Sequence, residues 1–312
     1  MLTACSSEKM EQAREIMGQA KEAVNQELEK LHKPGMMPET EPGIKPETDT
    51  ESAADLSASE SSFAVHYIDV GQADAALVLC DGQTMLIDGG NRADSDLIYT
   101  YLKNQDIDYL DYIVCTHPHE DHVGGLAGAM NAAETGTAYS SVKEYDSKVF
   151  GSFKKYLGEQ DTPLIIPEAG ETFSLGSAEV QILGPVQTED VNELNNTSLV
   201  LKVEYGETSF LFTGDAEWQE EQEILDAGFN VKSTVLKVGH HGGATSTSYR
   251  FLREVMPEYA VISVGEDNQY GHPTEEVLSR LSDAGAEVYR TDELGDIICT
   301  SDGKKVSFRF EK

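Results

Sequence analysis

The passage DYLDYIVCTHPHEDHVGGLAGAMNAA, residues 108–133, constrains this chain more than any other. An apolar, β-branched run reads as a buried strand, and the Leu-Ala-Met pattern after the glycine pair reads as a helix. Between them, three of the chain's 8 histidines fall within the H-x-H-x-D-H order of His117, His119, Asp121 and His122. Imidazole nitrogens and carboxylate oxygens in such a crowd suit first-row divalent ions. In an extended turn after the strand, His117 and His119 face one side, while Asp121 and His122 reach a second point. One loop then serves two ions. Further donors follow later strand-like runs: Asp215 in FLFTGDAEW and the pair His240-His241 in LKVGHHGGATS.

The surrounding pattern predicts the frame. FAVHYIDV, DAALVLC and QTMLIDGG read as three strands, the last two joined at Asp81-Gly82. DSDLIYTYLKNQ reads as a helix, and further helices are expected near 217–227, 247–255 and 274–284. SAEVQILG, TSLVLKVEYG, TSFLFTGD, STVLKVGHH, YAVISVG, AEVYRT, GDIICT and KKVSFRF supply later strands. Many strands in mixed order with interspersed helices predict an α/β sandwich of two mixed sheets with helices on the outer faces. Cys80, Cys115 and Cys299 sit in strand-like runs and read as buried free thiols, too scattered for a disulfide scaffold.

The ordered set THPHEDHVGG, FTGD and LKVGHHG resembles the metallo-β-lactamase fold, an αββα sandwich. With IDVGQADAALVL, LIDGG, NNTSLVL and NQYGHPTEEVL added, residues 63–312 are similar to the hydrolase domain of ComEC-type DNA-uptake proteins. The resemblance implies two divalent ions, Zn²⁺ or Mn²⁺. His117 and His119 would hold one. Asp121 and His122 would hold the other, together with one of His240 and His241, and Asp215 would bridge. Asp88 in LIDGG would fix a ligand histidine by a hydrogen bond. Asn196 and Ser198, beside Asn195, match the narrower family's pattern and would support the ligands. Asp69 and Asp74 are weaker candidates for that duty, with turn or capping roles equally open. His272 in YGHP would lie at the site mouth, as a general acid or a phosphate contact, or simply as a turn histidine before Pro273.

Two departures stand out. The wider superfamily often supplies a third histidine to the first ion, and this chain has none between His122 and His240. Water, an amide oxygen or substrate would complete that site, which would bind more weakly and accept Mn²⁺ as well as Zn²⁺. Ala73 also stands where the narrower family usually has glycine.

These residues imply metal-dependent hydrolysis, with Asp121, Asp215 and His272 nearest the chemistry. Two ions about 3.5–4 Å apart can hold a bridging hydroxide ready at neutral pH, and no G-x-S-x-G elbow offers a serine nucleophile. The expected substrate is a phosphodiester, DNA in the leading reading. A net charge of -33 opposes a long polyanion, and no basic patch or aromatic stacking run adjoins the motifs. A nucleotide or a phosphocholine group on a cell-wall polymer fits that charge better. A lactone or β-lactam hydrolase shares the fold but usually brings the missing histidine. A non-catalytic metal-binding surface lipoprotein would bind metal without turnover.

The first 62 residues differ in kind. L-T-A-C at residues 2–5 resembles a bacterial lipobox, so residues 1–5 read as the remnant of a lipoprotein signal, with Cys5 as the lipid anchor. Residues 6–33 read as an amphipathic helix, with Met10, Ala13, Met17, Ala20, Val24, Leu28 and Leu31 on one face. Residues 34–62, rich in Pro, Glu and Ser, read as a disordered linker. Anchor, helix, linker and a hydrolase domain at 63–312 predict an extracytoplasmic enzyme touching the membrane only through its lipid.

Overall fold

A computed structural model describes residues 63–187 and 193–312. The lipobox, the amphipathic helix and the linker lie outside the described residues. The early strands are β1 (Phe63–Tyr67), β2 (Ala76–Cys80), β3 (Gln83–Ile87), β4 (Tyr109–Cys115), β5 (Glu134–Ser140), β6 (Leu164–Ile165) and β7 (Thr172–Leu175). The later ones are β8 (Ala178–Gly184), β9 (Val200–Tyr205), β10 (Thr208–Phe212), β11 (Val235–Lys237), β12 (Tyr259–Ile262), β13 (Glu287–Arg290), β14 (Ile297–Ser301) and β15 (Val306–Phe310). They form an eight-stranded sheet in the order β15-β14-β1-β2-β3-β4-β5-β6, and a seven-stranded sheet in the order β13-β12-β11-β10-β9-β8-β7.

Strict alternation builds three core layers. Phe63, Val65 and Tyr67 of β1 pack inward against Leu201, Val203, Phe210 and Phe212 of the facing sheet. Leu77 and Leu86 point the other way, under the helices Ser95–Asn104, Leu126–Ala132 and Lys148–Glu159. On the second sheet, Leu211 and Leu236 point out under the helices Trp218–Asp226, Tyr249–Val255 and Glu275–Asp283. Residues buried on both faces of a strand read as near-continuous apolar runs, which is why these strands were legible. The architecture is the αββα sandwich of two mixed sheets.

Both sheets are half antiparallel and half parallel. β3, β4, β5 and β6 run parallel, as do β10, β11, β12 and β13. Parallel strands present their carboxyl ends on one edge, and the histidine and aspartate motifs all follow such ends. The edge is held by backbone-to-backbone contact between two glycine pairs. Gly89 N donates to the His122 carbonyl at 2.7 Å, and Gly125 N to the Gly90 carbonyl at 3.1 Å. A Cβ on Gly125 would overlap the Gly89 carbonyl oxygen, so LIDGG and HVGG are close-approach sequences.

Two expectations need correction. The stretch between the first helix pair and β7 holds β5 and the helix Lys148–Glu159, neither of which was among the expected elements. β5, ETGTAYS, has little apolar content because its neighbours bury it, and Gly151 and Gly158 blur the helix. The H-x-H-x-D-H loop is extended only to His119, which precedes a helical turn at Glu120–Val123. That turn, rather than strand-like alternation, leaves Glu120 exposed while Asp121 and His122 face inward.

Candidate metal centre

Asp215 organises the site. It follows β10 and Gly214, whose φ of 51° carries the chain round a turn so close that an added Cβ would lie 3.0 Å from Ser198 Oγ and Thr116 Cβ. Ser198 Oγ accepts the Asp215 N–H at 3.0 Å and donates to the Asn195 carbonyl at 2.8 Å. The aspartate's two oxygens face different neighbours. Oδ1 lies 3.3 Å from His122 Nε2 and 3.8 Å from His241 Nε2. Oδ2 lies 3.8 Å from both His117 Nε2 and His240 Nε2.

His240 and His241 part company through their backbone. Both adopt left-handed geometry, with φ of 50° and 53°. This costs about 1–3 kcal/mol per residue and persists where the surroundings impose it. The result turns consecutive imidazoles to opposite sides of Asp215. His241 Nε2 is also 3.5 Å from Asp121 Oδ2. His240 stays partly exposed, with Nδ1 3.4 Å from Glu217 Oε1. Asp121, His122, Asp215 and His241 therefore make one group, whose ligand atoms lie within 4.8 Å of one another. His117 and His119 make the other side, with Nε2 of the first 2.9 Å from Nδ1 of the second.

The inner ring nitrogens are fixed by partners. Asp88 Oδ2 is 2.8 Å from His122 Nδ1 and accepts the Thr116 hydroxyl at 2.6 Å, while Oδ1 accepts the Thr116 N–H at 2.8 Å. His241 Nδ1 meets the Ser263 carbonyl at 3.1 Å and Asp74 Oδ1 at 3.2 Å. Asp74 is in turn paired with buried Lys237 at 2.8 Å. Burial works to raise the Asp74 carboxyl, but Lys237 and His241 outweigh it and hold it well below the ordinary range. Of the two weaker aspartates, Asp74 thus supports a site histidine. Asp69 does not: it accepts the Gly71 N–H in a turn and pairs with Lys312. Asn196 Oδ1 accepts the Glu217 N–H at 3.0 Å, ordering the start of a helix rather than touching a ligand.

The donor set fits a divalent cation. His122 Nε2, His241 Nε2 and Asp215 Oδ1 are buried atoms without a hydrogen-bond partner, and they converge. Leaving each so costs about 1–3 kcal/mol, a penalty a shared cation removes. The field agrees. Burial works against a charged His241, yet Asp215 and Asp74 carry it up to about 10, so these carboxylates demand positive charge at this point.

His272 sits beside the group, its ring centroid 5.5 Å from that of His240 and its Nδ1 3.5 Å from Gln72 Nε2. Asn268 also clasps its backbone, accepting the His272 N–H at 3.0 Å, so turn and site-mouth positions coincide.

Some neighbours were invisible to sequence. A cleft of about 370 Å³ beside Pro118 and His119 gathers Arg92, Lys148, Tyr145 and Ser147. A larger one, about 760 Å³, is lined by Trp218 and Tyr249. Along the chain no basic patch or aromatic run adjoins the motifs, but the fold gathers single cationic and aromatic side chains into these two clefts. Arg92, whose backbone packs against Gly124, and Lys148, at the start of a helix that packs on the Glu120–Val123 turn, meet in this cleft, and nothing in their spacing signals it.

This fold and donor set are those of metal-dependent hydrolases built on an αββα sandwich. A model of the Metallo-beta-lactamase superfamily matches residues 68–266, and the chain belongs to that superfamily. It is 30% identical over 262 residues to ComE operon protein 3 of Bacillus subtilis, covering 75% of this chain and 32% of that protein. It is 32% identical over 238 residues to Competence protein ComA of Neisseria gonorrhoeae, covering 76% and 32%. The chain thus spans about a third of the length of these curated relatives. The metallo-beta-lactamase fold protein YhfI of Bacillus subtilis shares the fold, with a TM-score of 0.54 at 14% identity, covering 78% of this chain and 100% of that one.

Proposed function

We propose that the chain is a two-ion phosphodiesterase, with a DNA strand or a shorter phosphodiester as substrate. The observation that carries the reading is Asp215, whose two oxygens face two separate groups of ligand atoms. His117 and His119 would hold one ion with Oδ2, and His240 is the neighbour able to complete that side. Asp121, His122 and His241 would hold the other with Oδ1. When bound, such ions supply an activated water and neutralise charge developing on the reacting group.

The chain's own residues do the rest. Asp88 and the Asp74–Lys237 pair hold the tautomers of His122 and His241 so that Nε2 faces inward. Ser198 keeps Asp215 in place. Arg92 and Lys148, in the cleft beside His119, offer cationic contacts to a phosphate in a chain whose net charge is -33. The similarity to competence proteins supports a nucleic-acid-type substrate over a lactone. An extracytoplasmic site, tethered through Cys5, belongs to the same proposal.

The deciding experiment is cleavage of labelled single- and double-stranded DNA and of a short phosphodiester, with Zn²⁺ or Mn²⁺, beside Asp121→Ala. Metal-dependent cutting that the variant loses is expected. Metal-loaded protein that turns over lactones or β-lactams, or no ester at all, would refute it.

A further inference from the structure

Trp218 and Tyr249, 31 positions apart in sequence, line one cleft of about 760 Å³ with about half of each side chain exposed. That volume lies in the range of small-molecule sites. The cleft adjoins the metal centre by chain geometry. Trp218 is three residues beyond Asp215, and Ala244, which also lines the cleft, is three beyond His241. Three residues span at most about 11 Å. The two ligand loops are tied there: Trp218 N donates to the Thr245 carbonyl at 3.0 Å, and the Thr245 hydroxyl to Glu217 Oε1 at 2.7 Å.

The cleft is built, not merely open. Buried Arg280 donates to the carbonyls of Ala244, Ser246 and Thr247 at 2.9, 2.7 and 2.9 Å. Its guanidinium also lies over the Trp218 ring at 5.5 Å, fixing the indole from one side. Tyr249 is oriented by its hydroxyl, which donates to Asp283 at 2.8 Å. Beneath them Glu221 accepts the N–H groups of Thr247 and Ser248. Each ring thus has one anchoring contact that limits its side-chain freedom before anything binds.

Charge selects the occupant. Glu275 and Glu276 balance Arg250 and Arg280 in the lining, and Arg250 is itself paired with Asp226 at 2.8 Å. With both cations so engaged, the carboxylates of Glu275 and Glu276 repel an anion. The Trp218 face that would draw a quaternary ammonium is shared with Arg280 already. A neutral, flat, aromatic group with hydrogen-bond donors fits: it stacks on the rings and meets the carboxylates at its edge. We infer that this cleft is a nucleobase subsite, holding the base of a phosphodiester whose phosphate lies at the metal centre. The inference rests on the phosphodiester reading above and narrows it to unpaired nucleotides, because a base inside a duplex has no free face.

Trp218 is the one tryptophan in the chain, so its emission reports the cleft directly. The metal-loaded full chain is titrated with adenosine 5′-monophosphate, ribose 5-phosphate and phosphocholine. A saturable change with the nucleotide and none with the sugar phosphate is expected. Tyr249→Ala should weaken nucleotide binding about tenfold, and Tyr249→Phe should retain it. Tyr249 is exposed, so the fold tolerates both changes. No change with the nucleotide, an equal change with ribose 5-phosphate, or a response to phosphocholine alone would overturn the assignment. Turnover of a short single-stranded oligonucleotide and of a phosphodiester lacking any base is measured in parallel. Turnover of neither beside nucleotide binding defeats the hydrolase reading alone, and turnover of either beside a silent Trp218 defeats the subsite alone.

Discussion

At the scale of single residues, His122 and His241 have Nδ1 held by a partner and Nε2 left without one. Asp88 has a φ of 58°, which asparagine also tolerates, so Asp88→Asn removes charge with little strain. Metal affinity in that variant should fall about 10–100-fold with the fold intact, as read by competition with a chelating dye. Unchanged affinity would remove Asp88 from its supporting role. Asp215→Asn should weaken both ions together, since its two oxygens face both groups. Retained two-ion stoichiometry by elemental analysis would disprove bridging. The adjacent histidines separate cleanly: His241→Ala should empty the Asp121 side, and His240→Ala should leave it filled. The reverse pattern would mean that the left-handed turn at 240–241 assigns them wrongly.

At the scale of elements, two glycine turns pressed together hold the strand ends that carry the ligands. Gly125→Ala must displace the Gly89 carbonyl, which belongs to backbone and cannot swing aside. We expect a loss of about 2 kcal/mol or more in urea unfolding, with weaker metal binding because His122 shares that contact through its carbonyl. A variant as stable as the parent would show that the turns move apart easily. Elements with continuous apolar runs were legible in sequence, β4 and β10 above all. β5 was not, because its stability comes from neighbours remote along the chain, whereas the helix Lys148–Glu159 does carry local periodicity, with Val149, Phe150, Phe153 and Leu157 on its buried face, interrupted by Gly151 and Gly158.

For the whole molecule, metal and proton linkage set stability. A cation bound only by the folded chain stabilises it by about 3–4 kcal/mol when present at 100 to 1,000 times its dissociation constant. Chelation should therefore lower the melting temperature by several degrees. No shift would speak against a resident ion. His66 supplies a separate pH effect. Buried in β1 and 2.9 Å from the Tyr101 hydroxyl, it is pushed from 6.5 down to about 4 by burial and then by Arg309. The unfolded chain binds that proton more readily, so the contribution is full above pH 6.5 and is lost as pH falls toward 4. Its size is about 3 kcal/mol. With both proteins chelated, His66→Gln should flatten the fall in melting temperature across that window, and an identical profile would exclude His66 as its source.

Sequence alone determined the class of fold and named most of the candidate ligand residues, because both signals are local. A strand buried on both faces is a continuous apolar run, and a metal loop concentrates donors that few other roles require. Tertiary structure alone decided which of His240 and His241 joins Asp121, since the choice depends on two left-handed backbone angles. It alone brought Lys237 to Asp74, Arg92 to Lys148, and Trp218 to Tyr249. Those pairs are separated by tens to more than a hundred residues: closing the two sheets makes the first pair neighbours, and the packing of helices and loops on the outer side of a single sheet makes the other two.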